Sequence, residues 1–446
     1  MRRDLFGERP LYYVQTAGGV RTATSVWTLA REAEVPVALD PGALAAALCG
    51  ALPPGRSLFR GIGLVPPGHE LLVGPDGITT APYWEPPLEP PEGNAPLLET
   101  ARDDLLRRLR AAVEKLRPQP RAVCALSGGL DSGALLALLA ERGAPVRAWS
   151  LADDFAEDGE LDGARALADR FGADHRLATV TEEELPERAP EAVRACEALL
   201  WNGRAVASHR FFETIRAGGD SAILSGVGAD EVLCGNPAAL LSFEERAEAE
   251  HALARSLLEP AAAARLGARP PSPPPAGVDP LVWRQHVFIR DVLPDSTLPP
   301  ECRASAAQGV EVRLPYLERG VAEHCLRLPL RLRVQGDTGK VVLREAMRGR
   351  LPEEIRTAPK RARLAPGAGR GPRARERWIA FYGNWLSPAR VRDLGVVEPG
   401  RVTTLLDRHR RHEPWDPAHA IRDAVLMRLA SAAILYERAG GDALRA

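Results

Sequence analysis

Val123-Cys-Ala-Leu-Ser-Gly-Gly-Leu-Asp-Ser132 is the stretch on which the reading of this chain turns. Its apolar front ends in two glycines, and an Ala/Leu-rich run, Gly133 to Glu141, follows at once. That order predicts a buried strand, a tight turn and a helix start. Glycines let backbone N–H groups close on an anion, and the dipoles of a helix start favour negative charge there. Such a corner suits pyrophosphate. Asp131 is out of place in a plain anion cradle unless it holds a metal ion that the phosphates share.

Downstream, strands and helices alternate. Val146–Ser150 leads through an acidic loop (Asp153, Asp154, Glu157, Asp158) into a helix over Asp162–Phe171, and His175–Val180 is a third strand. Glu191–Leu200 reads as helix, and Ser221–Ser225 as a fourth strand ending in Gly226-Val-Gly-Ala-Asp-Glu231. This spacing predicts an α/β fold with a doubly wound parallel sheet, mainly helical after about Asn236. Upstream, Leu105, Leu109, Ala112 and Leu116 share one face of a helix running from about Leu97 to Leu116. Residues 85–96 are rich in proline and acid and read as a linker. Residues 1–84 read as a small β-rich unit, with hairpins around Gly18-Gly19 and Pro75-Asp76-Gly77 and a short helix capped by Asp40. The chain thus divides into 1–84, 85–96 and 97–446.

Composition narrows the function classes. The 446 residues are 45% hydrophobic and 26% charged with a formal net charge of −1, so bulk electrostatics gives no reason to expect nucleic-acid binding. Six scattered cysteines, with no C-x-x-C pair, argue against a zinc ribbon or a disulfide scaffold. His409 and His412 lie in an Arg-rich stretch and read as a solvated face, not a metal site. No apolar run approaches the roughly 20 residues that span a bilayer. Met1-Arg-Arg-Asp4 lacks the apolar segment of a secretory signal, so a cytoplasmic protein without a membrane partner is expected.

In a doubly wound sheet, ligands bind beyond the carboxyl ends of strands. The turns at Ser127 and Ser225 both follow strands, and each is followed by an aspartate. If the two strands are neighbours, Asp131 and Asp230 converge. Two carboxylates with triphosphate oxygens would make a hard-oxygen magnesium site.

These motifs carry a resemblance. Ser127-Gly-Gly-Leu-Asp-Ser132 resembles the pyrophosphate loop of the N-type ATP pyrophosphatases. Ser225-Gly-Val-Gly-Ala-Asp-Glu-Val-Leu-Cys-Gly235 is similar to the second nucleotide motif of the class B asparagine synthetases. Gly309-Val-Glu-Val-Arg-Leu-Pro-Tyr-Leu-Glu318, Gly339-Lys-Val-Val-Leu-Arg344, Leu351-Pro352 and Pro359-Lys360 follow in that family's order. Arg3 to Tyr13 and Phe59 to Gly68 resemble the interior of its glutaminase domain, with the front half and the N-terminal nucleophilic cysteine missing. Glutamine hydrolysis is therefore not expected of residues 1–84.

The resemblance implies chemistry. A carboxylate attacks the α-phosphorus of ATP, pyrophosphate leaves, and ammonia or a substrate amine displaces AMP to form an amide. It implies that Ser127, Gly128, Gly129 and Ser132 hold pyrophosphate and that Asp131 and Asp230 bind Mg²⁺. Leu126, Ser150, Ser225 and Gly226 would border the adenosine. Lys360, with Lys340 beside it as a second candidate, would stabilise departing pyrophosphate. Glu311 would orient the incoming amine or take its proton, unless it simply pairs with Arg313. Pro300-Glu301-Cys302-Arg303 and Pro315-Tyr-Leu-Glu318 depart from the family pattern where the carboxylate substrate is expected, which puts aspartate in doubt as that substrate. The reading is an amide ligase of specialised metabolism, acting on a small-molecule or peptide carboxylate and leaving room for a homodimer or a pathway partner. A lasso-peptide or β-lactam-type cyclase and a non-catalytic ATP-binding protein are the alternatives. The intact Gly228-Ala-Asp-Glu231 favours the ligase over the cyclase.

Overall fold

The computed structural model describes the whole chain except residues 76, 89–95, 154–159, 267–272, 360–370, 412–416 and 441–446. Near the N-terminus, β1 (Tyr12–Thr16) pairs antiparallel with β2 (Gly19–Ala23). Two helices follow, α1 (Val26–Ala33) and α2 (Pro41–Leu48). The short β3 (Gly63–Leu64) then joins the far side of β1, while β4 (His69–Gly74) and β5 (Gly77–Pro82) form a separate hairpin. Asp40 caps α2 as expected, its side chain accepting from Ala43 N. Helix α1 adds to the expected β-rich unit. Ser25 caps it, and Val26, Leu29 and Ala30 bury one face.

Beyond the linker come α3 (Leu98–Leu116), β6 (Ala122–Ala125), α4 (Leu130–Ala140), β7 (Val146–Asp153), α5 (Glu160–Phe171) and β8 (Asp174–Val180). They are followed by α6 (Leu185–Cys196), α7 (Arg204–Ala217), β9 (Ala222–Leu224), α8 (Ala229–Val232), α9 (Pro237–Leu257) and β10 (Glu311–Arg313). The five strands form one parallel sheet in the order β8-β7-β6-β9-β10. The doubly wound α/β expectation holds, with β10 as a further edge strand. From β6 the chain winds outward through β7 and β8, then returns to the other side of β6 for β9 and β10. The neighbours β6 and β9, in register at Cys124 and Leu224, therefore flank the switch point where such sheets open a crevice.

Helix α4 begins at Leu130, three residues earlier than the Ala/Leu run suggests, so Asp131 and Ser132 lie in its first turn. Nine of its eleven residues are buried, because α3 and α5 flank it on the sheet. A helix that is apolar all round is a core helix, and burying each leucine contributes about 1.5–3 kcal/mol. The anion corner thus sits on a rigid base. No helix among the described residues is long and apolar enough to cross a membrane.

One expectation fails in the C-terminal helices. His409 is buried, not solvated: it stacks on His419 at 4.3 Å and lies 3.8 Å from Asp423. His412 lies outside the described residues. Val402, Leu405, Leu406 and His409 form one buried face of the helix Pro399–Arg411, and the arginines around His409 occupy the others. Burial pushes the Asp423 carboxyl up to about 7, helped by Glu182 and opposed by the hydrogen bond that Tyr382 donates at 2.7 Å. An acid whose folded pKa lies above its unfolded one stabilises fully below the unfolded value, and that contribution is lost as pH rises towards the folded one. Unfolding free energy should therefore fall between about pH 4 and 7, by on the order of 1 kcal/mol per pH unit from this group. Asp423→Asn should flatten that slope in chemical denaturation, and an unchanged slope would show that Asp423 is ionised in the fold.

Candidate active site

The site is built where β6 and β9 end. Gly128, at φ 80°, turns the chain out of β6 into α4, whose N-cap, Gly129, offers no side chain to the helix N–H groups. N–H groups at a helix start that no side chain caps are suited to an anion. Ser132 steadies the loop from inside, its hydroxyl accepting from Ser127 N at 3.0 Å and meeting Ser127 Oγ at 3.0 Å. The second turn leaves β9 at Ser225 and reaches α8 through Gly228, at φ 97°. The two turns touch backbone to backbone: a Cβ on Gly226 would lie 3.2 Å from Ser132 N.

The convergence of Asp131 and Asp230 is real, and Lys340 Nζ is where they meet. It lies 2.6 Å from Asp131 Oδ2 and 2.6 Å from Asp230 Oδ1. Lys340 is only 3% exposed, so it is no surface lysine. Burial alone would lower its pKa. The two carboxylates outweigh that and hold the ammonium above the ordinary lysine value.

Backbone geometry makes room for this contact. Lys340 itself adopts φ 60°, a left-handed conformation that costs a residue with a Cβ about 1–3 kcal/mol. It enters between two glycines. A Cβ on Gly235 would lie 1.9 Å from Asp230 Oδ1 and 2.4 Å from Lys340 Cε, and one on Gly339 would lie 2.0 Å from the Cys234 carbonyl oxygen. Beneath them, the buried Arg333 donates to Gln285 Oε1, and Gln285 Nε2 donates to the Glu231 carbonyl at 2.6 Å, bracing the turn that carries Asp230.

Around this cluster opens a cleft of about 890 Å³. Its walls include Leu126, Ser127, Gly128, Gly129, Asp131, Ser132, Ser225, Gly226, Asp230 and Lys340, so most of the expected residues share one surface. Ser150 does not. Its neighbours Trp149 and Leu151 reach the cleft, while its own hydroxyl is buried, donating to the Leu126 carbonyl at 2.6 Å and meeting His175 Nε2 at 2.8 Å. It ties strand ends together behind the cleft wall. Lys360 lies outside the described residues, although Ala358 and Pro359 line the cleft.

Glu311 requires a correction. It opens β10 at the amino end, level with Ala222, and pairs with Arg313 at 2.7 Å and Arg9 at 3.1 Å. These guanidiniums, Arg313 first, hold its carboxyl below the ordinary glutamate range. The strand carries it away from the crevice, so it is a surface ion-pair residue and not the amine's acid–base group. The departures in Pro315–Glu318 also face elsewhere. Tyr316 is buried and donates to the Asp131 carbonyl at 3.0 Å, and Glu318 caps the helix Arg319–Arg327 while pairing with Lys115. Glu301 does enter the cleft, where Ser225 Oγ donates to its Oε1 at 2.6 Å. Arg344 lines it too, its Nε donating to the Gly339 carbonyl at 3.0 Å. Sequence reasoning assigned neither a role, although Arg344 closes a quoted motif and Glu301 stands in a quoted departure.

A family model described as asparagine synthase matches residues 104–434, well over half of the chain. The chain belongs to the asparagine synthase family. A glutamine amidotransferase domain model matches residues 1–84. Among curated relatives, the glutamine-hydrolysing asparagine synthetase of Rattus norvegicus is 28% identical over 276 residues, covering 59% of this chain and 43% of that protein. Asparagine synthetase 3 of Bacillus subtilis is 24% identical over 405 residues, covering 79% and 62% respectively. The human enzyme is 27% identical over 278 residues, with 59% and 43% covered. The chain thus spans from under half to about three fifths of these relatives' lengths.

Proposed function

We propose that this member of the asparagine synthase family is an ATP-dependent, AMP-forming amide ligase. It adenylates a carboxylate, releases pyrophosphate and passes the acyl group to ammonia or a substrate amine in specialised-metabolite biosynthesis. The observation that carries the reading is the meeting of two strand-end turns, one of them opening a core helix, around a single buried ammonium. The N–H groups of α4 and the glycine turn take the β- and γ-phosphates, and Lys340 offsets the charge that develops on leaving pyrophosphate. Lys360 is a second cation for that task by its place after Pro359.

The donor set fits Mg²⁺. Asp131 Oδ1 is buried and accepts no hydrogen bond from the described residues, and both carboxylates already converge on one cation. Asp131 and Asp230 would hold the ion, which when bound neutralises phosphate charge. Glutamine hydrolysis is not part of the proposal, because burial leaves five of the six cysteines without a ready thiolate. Burial pushes Cys49 up to about 11 and Cys124, Cys196 and Cys325 up to about 12, and raises Cys302 well above its usual value.

ATP–pyrophosphate exchange across a panel of free carboxylic acids and peptides tests the reading. Exchange with a free acid, reduced about 100-fold or more in Asp131→Ala, is the expected result. Exchange with peptides alone would favour a cyclase. Its absence with every acid would leave an ATP-binding protein without this chemistry.

A further inference from the structure

Once the acyl-adenylate has formed, the amine nitrogen must lose a proton as it attacks, and Glu311 is too far round the sheet to accept it. Glu301 is the carboxylate in place. Its Oε1 accepts from Ser225 Oγ at 2.6 Å, and Ser225 is the first residue of the turn that carries Asp230. Glu301 thus lies beside the strand end where the phosphates and the reacting carboxylate are to be held.

The backbone beneath Glu301 is fixed from several sides. Pro299 and Pro300 precede it, and Cys196 Sγ donates to the Pro299 carbonyl at 3.6 Å. Two residues on, Arg303 donates from Nη1 to the Cys196 carbonyl at 3.0 Å and to the Tyr12 hydroxyl at 3.1 Å. Ser305 Oγ donates to the Cys302 carbonyl at 3.1 Å. A side chain on so constrained a turn is pre-set for a substrate. The cleft wall to which it belongs includes Val227, Phe288, Val292, Pro299 and Pro300 together with Asp295, Ser296 and Thr297.

We propose that Glu301 receives the amine co-substrate, which is therefore a protonated, ammonium-bearing compound, and acts as its proton acceptor; this rests on the amide-ligase reading above. The amine's N–H groups donate to the Glu301 carboxylate, with Ser225 Oγ fixing the other side of Oε1. Glu301 first takes one proton from the bound ammonium, which frees the nitrogen lone pair. As that pair forms the C–N bond, the bond from acyl carbon to phosphate oxygen breaks and AMP leaves with its electrons. The second proton on nitrogen then passes to the departing AMP phosphate, which gains a negative charge in the same step. No redox partner is involved.

The test separates the two half-reactions in Glu301→Gln and Glu301→Asp. ATP–pyrophosphate exchange, with an acid that supports it in the wild type, reads adenylation. Amide formation from that acid with ammonium chloride or methylamine, followed by mass spectrometry, reads aminolysis. For Glu301→Gln, the ratio of aminolysis to exchange should fall about 100-fold, and raising the pH, which supplies free amine, should recover part of it. Glu301→Asp, which keeps the carboxylate, should recover part of the ratio at neutral pH. An unchanged ratio, with both half-reactions reduced equally or neither reduced, would overturn the role of Glu301 and leave the ligase reading intact. Absence of exchange in the wild type with every acid would instead remove the reading on which the role depends.

Discussion

Lys340→Met lowers ATP–pyrophosphate exchange by about 10²- to 10³-fold, the loss typical of removing one pre-set group that meets developing charge. The substitution also strips the cation from between Asp131 and Asp230, each 2.6 Å from its nitrogen. Breaking a buried ion pair by removing one partner costs about 3–5 kcal/mol, since uncompensated charge remains. Thermal unfolding should therefore shift down along with activity. The two carboxylates, freed of the ammonium, become a better site for a divalent ion, so Mg²⁺ should raise the variant's Tm more than the wild type's. Exchange within a few-fold of wild type would mean that Lys340 is a structural plug and that another cation serves pyrophosphate.

Gly339→Ala should be nearly as damaging without touching any charged group. The added methyl would lie 2.0 Å from the Cys234 carbonyl oxygen and 2.9 Å from Gly235 Cα, and these backbone atoms cannot swing aside. Relief requires the Thr338–Gly339 segment to move, and Lys340 is the next residue. Overpacking of this kind costs about 1–3 kcal/mol, and a displacement of 1 Å at a reacting group can cost about 100-fold in rate. Gly74→Ala is the matched control, because no atom of the described residues lies within 4 Å of a Cβ there. Wild-type exchange in Gly339→Ala would show that Lys340 tolerates displacement, and the tight glycine seat would then have no functional meaning.

What was legible in the sequence follows from what is local. The strand, glycine turn and helix around Ser127 are contiguous, and the rule that ligands gather at strand ends brought Asp131 and Asp230 together once β6 and β9 proved to be neighbours. Lys340 could be proposed from its motif but not placed. Its contact with Asp131 closes 209 residues of chain and depends on two glycines whose seats exist only in the fold. Glu311 was misread because a family-like segment says which residues are present, not which end of a strand they occupy. Two residues of parallel strand separate it from Arg313 by about 7 Å along the sheet, towards the wrong end. Glu301 belongs to no spacing pattern, and it reaches the cleft because the turn at Pro299 and Pro300 delivers it there. At His409 two local signals oppose each other. The 3.6-residue period of Val402, Leu405, Leu406 and His409 marks a buried face, while the arginines beside it in sequence mark a solvated one, and the packing of His419 and Asp423 decides for burial.

The N-terminal contacts have a consequence for how this protein can be divided. Tyr12, in β1, holds Arg303, two residues after Glu301. Glu197, at the end of α6, accepts from Ser25 Oγ at 2.5 Å and Val26 N at 2.8 Å at the start of α1, and Trp84 donates to Glu323 at 2.9 Å. These contacts tie residues 1–84 to the end of α6, to the segment that carries Glu301 and to the helix Arg319–Arg327. Cutting the chain after Trp84 would therefore expose hydrogen-bonding groups on both pieces.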